Sequence, residues 1–265
     1  MAISFDRVAD LYDNTRSLPP EIAQAVTDCI LWLSRATPET SFFEPGIGTG
    51  RIALPLVEQG YAYTGIDVSD AMMDKLWEKL KDRSHRLTLL NADATALPFE
   101  PACFDVAIAS HILHLIPDWR KAMAEIRRVL KPEGVFIYFH HPNRGVATYH
   151  EVDQKWEEIL TRYAYQRNVK GAFTEEVLAH LTEQGAELET VTVAEVKHTR
   201  TLAEVLQAYC DRIYSSFWQI PDEIFNAALQ DLLTWANDTF SSQEIQIESS
   251  YSLILTAAYQ WASRV

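Results

Sequence analysis

The sequence predicts an α/β fold in which a mainly parallel sheet carries helices on both faces. From about residue 40 to 141, short β-prone runs alternate with helical patterns, as repeated β-α units do. The first of these runs ends in a glycine-rich turn that leads into a helix. Since ligands of such sheets bind outside the carboxyl ends of the strands, we expect a ligand site at this edge.

One helix is predicted before the first strand, over residues 20–36. It begins after Pro19 and ends near Thr37-Pro38, because proline suits the first turn of a helix and disfavours its continuation.

The glycine turn follows a buried strand that begins near Phe42. Residues 43–50 read Phe-Glu-Pro-Gly-Ile-Gly-Thr-Gly, and an apolar-periodic helix follows and ends at Gly60. Glycines at this spacing let the chain turn tightly and let a ligand lie against main-chain atoms, because no Cβ intervenes.

A second strand, residues 61–66, is closed by Asp67, which lies 17 positions after Gly50. This spacing is close to that of the acid that binds a ribose in dinucleotide sites, and a carboxylate can accept from both ribose hydroxyls. In another register, residues 48–53 read Gly-Thr-Gly-Arg-Ile-Ala and satisfy the nicotinamide fingerprint. At this point the turn fits NAD and other nucleosides equally.

Three further strands are predicted, each ending in polar residues. They cover residues 86–90, 104–110 and 135–139, and are followed by Asn91-Ala92-Asp93-Ala94, by His111 and by His140-His141. A helix from about Trp119 to Leu130 stops at Lys131-Pro132-Glu133-Gly134.

With these residues in view, the chain resembles the class I S-adenosylmethionine-dependent methyltransferases, in the small-molecule group that includes the ubiquinone-biosynthesis type. The resemblance covers residues 5–142 and rests on five pieces in order: E-P-G-I-G-T-G, T-G-I-D-V-S, N-A-D-A-T-A-L-P-F, F-D-V-A-I-A-S-H and V-L-K-P-E-G. It implies a Rossmann-like, seven-stranded, mainly parallel sheet whose last strand is antiparallel. The runs 188–198 and 244–258 would supply the final pair.

The predicted organisation is one methyltransferase domain over residues 1–265. Its parts are an N-terminal helical lid (1–38), a cofactor-binding core (39–141), helical cap insertions (142–184 and 200–242) and closing strands (185–199 and 243–260). Insertions at the carboxyl edge of such a sheet can roof the pocket, and the alternative is that they only cover a sheet face.

The resemblance implies S-adenosylmethionine as the cofactor and gives each site residue a role. The methionine part would lie among Glu44, Gly46, Gly48 and Gly50, with its carboxylate near Tyr12 and Arg16 on a lid helix. Asp67 would bind the ribose, Val68 and Met72 the adenine face, and Asp93 and Ala94 the adenine edge. Ser110 and His111 would lie beside the sulfonium.

Two of these residues or segments have an alternative role. Asp67 could instead cap a helix, but Ser69 or Asp70 fits that role better. The lid helix could also be an ordinary surface helix.

Methyl transfer needs a base only when the acceptor carries a proton at neutral pH. The candidates at strand ends are His111, His114, His140 and His141, of which His111 is the preferred catalytic residue. Its alternative is a histidine that only lines the pocket or the core. We predict no metal, because no cysteine or carboxylate joins these histidines at a ligand spacing.

Composition excludes some partners. The net charge of −14 argues against nucleic acid, which needs clustered Lys and Arg. No signal peptide or membrane-length apolar run is present, and Cys29, Cys103 and Cys210 form no disulfide framework, so we expect a cytoplasmic protein. The cap aromatics fit either a pocket for a hydrophobic or planar acceptor or an ordinary core: Tyr149, Trp156, Tyr163, Tyr165, Tyr209, Tyr214, Phe217 and Trp218.

Three functions therefore remain open from the sequence. The favoured one is a methyltransferase that acts on a small molecule. The second is an NAD(P)-dependent oxidoreductase, which the other glycine register allows. The third is a non-catalytic binder of S-adenosylmethionine or S-adenosylhomocysteine. The sequence specifies neither the acceptor atom nor the oligomeric state.

Overall fold

A computed structural model describes residues 5–6, 9–141, 143–145, 147–165 and 171–262. Its helices are α1 (Ala9–Arg16), α2 (Pro20–Ser34), α3 (Ala53–Glu58), α4 (Asp70–Leu80), α5 (Trp119–Val129), α6 (Ala147–Arg162), α7 (Thr174–Glu183), α8 (Leu202–Cys210) and α9 (Asp222–Thr239). Its strands are β1 (Ser41–Pro45), β2 (Ala62–Asp67), β3 (Leu87–Asn91), β4 (Phe104–Ser110), β5 (Leu130–His140), β6 (Asn143–Gly145), β7 (Glu187–Thr201) and β8 (Gln246–Tyr259). Short 3-10 turns cover Leu113–Leu115 and Ser215–Phe217.

The sheet has the strand order β3-β2-β1-β4-β5-β8-β6, and β7 pairs with β8. The strands from β3 to β5 in this order are parallel, while β8 runs antiparallel to β5, from Phe136 opposite Ala258 to His140 opposite Ile254. The predicted α/β class and the antiparallel last strand are therefore confirmed. The short strand β6 adds an eighth strand that the sequence did not predict.

Strand β5 begins earlier than predicted. Leu130 pairs with Phe104 and Val135 pairs with Val106, so that residues 131–134 lie opposite a single residue, Asp105. The predicted Lys-Pro-Glu-Gly turn is thus a bulge inside the strand. The Lys131 ammonium lies 2.7 Å from a carboxylate oxygen of Asp105 and contributes to holding this bulge in place.

The chain divides into two compact units. The first comprises residues 1–140, 170–194 and 253–265, and the second comprises 141–169 and 195–252. Helix α7, predicted as part of a cap insertion, falls in the first unit. Its Val177 and Leu181 are fully buried in the same apolar cluster as Met123 of α5, because positions four apart share one helix face.

The second unit has its own apolar core around Trp156. This ring lies 5.3 Å from Tyr209, 5.2 Å from Phe217 and 5.5 Å from Phe225, measured between ring centroids. Tyr165, Tyr214 and Trp218 pack against the same cluster, whereas Tyr163 is 36% exposed. The Tyr149 side chain lies outside the described residues. Most of the predicted cap aromatics therefore pack in or against a core, and their contact with an acceptor stays a prediction, as does the roofing of the pocket.

Within the described residues, no helix is both long and apolar enough to span a membrane.

Candidate cofactor site

A pocket opens in the first unit where β1, β2 and β4 end. It contains about 660 Å³ of empty space, a value that includes open solvent. The lining residues come from the glycine turn, the segments after β2, β3 and β4, and the N-terminus: Phe5, Tyr12, Gly46, Gly48, Ile66, Asp67, Val68, Met72, Ala92, Asp93, Ala94, Ser110, His111, Ile112, Leu115 and Ile116.

The glycine turn presents main-chain atoms to this pocket. Gly46, Gly48 and Gly50 have φ values of 70°, 54° and 78°, in the left-handed region that favours glycine. A Cβ on Gly46 would lie 2.6 Å from the Ile112 side chain, and one on Gly50 would lie 2.4 Å from that of Leu76. Gly46 and Gly48 line the pocket, whereas Gly50 does not and instead lets the turn pack closely against α4.

Asp67 stands at the end of β2 and lines the pocket. Its Oδ2 accepts from the Gly48 backbone N–H at 2.8 Å, and its Oδ1 accepts from the Ser69 N–H at 2.9 Å. Burial raises the pKa of Asp67, and these backbone hydrogen bonds oppose the rise. Because each carboxylate oxygen has two acceptor positions, the group can still accept from ribose hydroxyls. The helix cap is Ser69, whose Oγ accepts from the Met72 N–H, so the cap role falls on Ser69 as expected.

The adenine residues predicted from the sequence lie together in the lining. Asp93 and Ala94 follow β3, and Val68 and Met72 follow β2. Asp93 Oδ1 accepts from the Thr95 backbone N–H at 2.8 Å, which fixes the carboxylate in a local turn. An acid at the rim of an apolar surface matches a planar base with an amine on its edge.

The N-terminal segment also contributes to the lining through Phe5 and Tyr12, whose rings meet edge to face at 5.8 Å. Helix α1 is tied down next to Tyr12. The Thr49 hydroxyl donates to Asp13 Oδ1 at 2.6 Å, and Lys75 Nζ lies 2.9 Å from Asp10. The Arg16 side chain, predicted to reach the methionine carboxylate, lies outside the described residues.

Glu44 is buried and lies outside the pocket lining. Only 2% of the residue is exposed, and the Tyr63 hydroxyl donates to its Oε2 at 2.7 Å. Burial raises the pKa of Glu44 to about 8, while the Tyr63 hydrogen bond and the charge of Arg51 act in the opposite direction. In the structure, the partner of this carboxyl is therefore Tyr63.

Ser110 and His111 line the pocket at the end of β4. His111 has a φ of 52° in the left-handed region, and its ring meets Phe139 edge to face at 5.4 Å. Such a backbone is uncommon outside glycine, although histidine tolerates it better than most residues. The Ser110 hydroxyl accepts from Nη2 of Arg51 at 3.3 Å. Sequence analysis assigned no role to Arg51, although its place directly after the third glycine was a usable signal.

The other three candidate histidines lie outside this lining. His140 is buried, with Nε2 3.3 Å from Oγ1 of Thr256, and it stacks on Tyr138. His141 belongs to the second unit, and His114 lies in the 3-10 turn after β4. Among the residues that the structure describes, no group of three or more His, Cys, Asp or Glu is arranged to hold a metal ion.

Comparison with known proteins supports the resemblance to the class I methyltransferases. Residues 43–138 match the family model described as a methyltransferase domain. Phosphoethanolamine N-methyltransferase 2 of Haemonchus contortus, solved with phosphomonomethylethanolamine and S-adenosylhomocysteine, aligns with a TM-score of 0.57 at 16% identity. That alignment covers 96% of this chain and 57% of the other, and at such identity it shows a shared fold.

Two curated relatives cover part of the chain. The sterol 4-C-methyltransferase strm-1 of Caenorhabditis elegans is 38% identical over 96 residues, which is 36% of this chain and 29% of the relative. Malonyl-(acyl-carrier protein) O-methyltransferase of Salmonella typhimurium is 30% identical over 162 residues, which is 61% of this chain and 60% of the relative. This chain thus spans less than two thirds of the length of either relative. The family model and the names of both relatives support the resemblance seen in the sequence.

Proposed function

We propose that this protein is an S-adenosylmethionine-dependent methyltransferase that acts on a small molecule. The observation that carries the proposal is the joint placement of Asp67 and Asp93 around one pocket whose wall includes Gly46 and Gly48. The first acid suits a ribose and the second suits the adenine amine. The matching family model and the names of both curated relatives support the same reaction.

The residues of the pocket fit this cofactor better than they fit NAD. In the register that matches the nicotinamide fingerprint, Gly50 would have to approach the pyrophosphate. Here Gly50 does not line the pocket, whereas Gly46 and Gly48 do. We therefore place the methionine part near Gly46 and Gly48, and we assign Gly50 and Glu44 to the support of the turn.

When bound, S-adenosylmethionine supplies a methyl group on a positively charged sulfur. The residues of the chain then have to align the acceptor with that group and exclude water, and alignment alone can contribute about 7 to 11 kcal/mol. Phe5 and Tyr12 cover the pocket from the N-terminal side, and Ser110 and His111 lie at the β4 end. For an acceptor that carries a proton, we propose that His111 removes it, since its backbone and the Phe139 ring fix its position.

The residues of the cofactor site do not specify which chemical class of molecule receives the methyl group. By their names, the three proteins compared above place the methyl group on carbon, oxygen or nitrogen. A small-molecule acceptor, no nucleic-acid partner and a cytoplasmic location form part of this proposal. A net charge of −14 and free Cys29, Cys103 and Cys210 support them.

Two experiments test the function. Calorimetric titration should show binding of S-adenosylmethionine and S-adenosylhomocysteine and none of NAD; the reverse result would establish the nicotinamide alternative. Radiolabelled methyl transfer across a panel of small acids, amines, phenols and sterols should then reveal an acceptor. Binding without transfer to any of them would favour the non-catalytic binder. With an acceptor in hand, His111→Asn should lower kcat and flatten the pH–rate profile while the Kd of S-adenosylmethionine stays unchanged.

A further inference from the structure

The guanidinium of Arg51 contacts a side chain at the β4 end of the pocket, although Arg51 is not itself one of the lining residues. It donates to Ser110 Oγ at 3.3 Å, and Ser110 belongs to the lining. Its Cζ also lies 5.6 Å from the centroid of the Phe139 ring in β5. Arg51 thus joins the turn after β1 to the ends of the two neighbouring strands.

The strand order gives the direction in which a nucleoside ligand extends. The acids assigned to ribose and adenine, Asp67 and Asp93, close β2 and follow β3 at one side of the pocket. β1 and then β4 come next in the sheet, so the rest of the ligand crosses the glycine turn toward Ser110. In S-adenosylmethionine that remaining part is an amino acid, which carries a carboxylate.

A carboxylate at this place needs a cation, because the nearby charged groups of the pocket are acids. Asp67 and Asp93 line it, and Glu44 is within electrostatic range of both Arg51 and Asp67. Lys75 and Lys79 on α4 form ion pairs with Asp10 and Asp13 of α1. Arg51 differs from these lysines in that it contacts a lining side chain.

We infer that Arg51 binds the carboxylate of the methionine part of the cofactor. The inference rests on the proposed function and gives to Arg51 the role that the sequence assigned to Arg16. A guanidinium carries five N–H donors in a planar fork, which suits simultaneous contact with a hydroxyl and a carboxylate. Ser110, as acceptor of one of these donors, would then hold the fork in register with the ligand.

The test varies the arginine and the carboxylate together. Binding of S-adenosylmethionine and of decarboxylated S-adenosylmethionine, which keeps the sulfonium and the amine, is measured by calorimetry on the wild type, Arg51→Gln and Arg51→Lys. We expect Arg51→Gln to weaken S-adenosylmethionine by about 10- to 100-fold and the decarboxylated ligand by less than about threefold. Arg51→Lys should fall between, because it keeps the charge and loses the fork. Arg86→Gln, an exposed arginine just before β3, is the matched control and should bind both ligands as the wild type does.

Two outcomes overturn the inference. One is an equal loss for both ligands in Arg51→Gln, or no loss for either. The other is a carboxylate-dependent loss in Arg16→Gln and not in Arg51→Gln, which would return the role to Arg16. Equal thermal unfolding midpoints establish that the variants are folded. If the wild type itself fails to bind S-adenosylmethionine, the proposed function fails first, so the two failures are distinguishable.

Discussion

Nζ of Lys79 on α4 lies 2.6 Å from Oδ2 of Asp13 on α1, and it also donates to the Thr49 backbone oxygen at 2.8 Å. The Thr49 hydroxyl in turn donates to the other oxygen of Asp13 at 2.6 Å. One lysine thus connects the N-terminal helix with the glycine turn. Since Tyr12 precedes Asp13 and lines the pocket, this ion pair holds a pocket wall in place.

We predict that Lys79→Gln speeds the release of S-adenosylhomocysteine about three- to fivefold, because α1 then opens more easily. The free energy of unfolding should change by less than about 1 kcal/mol, since the two side chains are 31% and 35% exposed and such pairs contribute little to stability. Stopped-flow displacement of the ligand measures the rate, and urea denaturation measures the stability.

Salt supplies the control for this prediction. Raising the KCl concentration from about 0.05 to about 0.5 M should speed ligand release more in the wild type than in Lys79→Gln, because screening of the Lys75–Asp10 pair is common to both proteins and the variant lacks the second pair. Lys155→Gln removes a similar ion pair, to Glu158 within α6, and should release the ligand at the wild-type rate. An unchanged rate in Lys79→Gln would show that α1 does not gate the pocket.

Gly50→Ala should destabilise the fold by about 3 kcal/mol, from two causes. The new Cβ would stand 2.4 Å from the Leu76 side chain, and the residue would keep a φ of 78°. Gly60 separates these causes, since its φ is 90° and no heavy atom lies within 4 Å of an added Cβ. We expect Gly60→Ala to cost only about 1 kcal/mol by urea denaturation. Equal losses in both variants would contradict the packing role of Gly50.

The sequence predicted the sheet because hydrophobic period and turn residues are local signals. Strand β4 was predicted at its observed limits, and the predicted ends of α5 and β3 differ from the observed ones by one residue. The bulge in β5 was missed because it depends on the pairing of Leu130 with Phe104, which no local pattern encodes. The assignment of α7 follows from long-range packing of Val177 and Leu181.

The pocket is lined by residues whose place in the fold follows from local motifs, whereas contacts with distant partners could not be predicted. Asp67, Asp93 and Ser110 end or follow strands, so their position at the carboxyl edge follows from the fold. Glu44 has the same kind of position, yet its burial against Tyr63 depends on the neighbouring strand. The contact of Arg51 with Ser110 joins residues 59 positions apart, which a single sequence cannot show.

The buried pair of Glu44 and Tyr63 predicts a pH-dependent stability. Burial raises the pKa of Glu44 from 4.5 to about 8, so between these values the folded protein holds a proton that the unfolded chain has lost. The stabilisation is fully present below about pH 4.5 and declines as the pH rises toward 8, by at most about 1.4 kcal/mol per pH unit. Above that value the contribution levels off.

Glu44→Gln isolates this contribution, because glutamine stays neutral and its carbonyl can still accept from Tyr63. Urea denaturation at pH 5.5, 7 and 8.5 should show the wild type losing stability relative to Glu44→Gln as the pH rises. The raised pKa of Asp67 acts with the same sign but is common to both proteins and cancels. A difference that stays constant over this range would mean that Glu44 titrates normally.

Asp93→Asn should separate the binding role of Asp93 from its structural role. Asparagine keeps an oxygen for the Thr95 backbone N–H, so the unfolding free energy should change by less than about 0.5 kcal/mol. The NH2 group that replaces the second carboxylate oxygen is a donor facing the donor amine of adenine, so we expect affinity for adenosine to fall about tenfold. Purine riboside lacks that amine, and its affinity should change little. Competition against S-adenosylhomocysteine measures the affinity of both nucleosides.

Asp93→Ala, which also loses the Thr95 contact, should in addition reduce stability. An equal effect on both nucleosides would show that Asp93 supports the loop and does not bind the adenine edge.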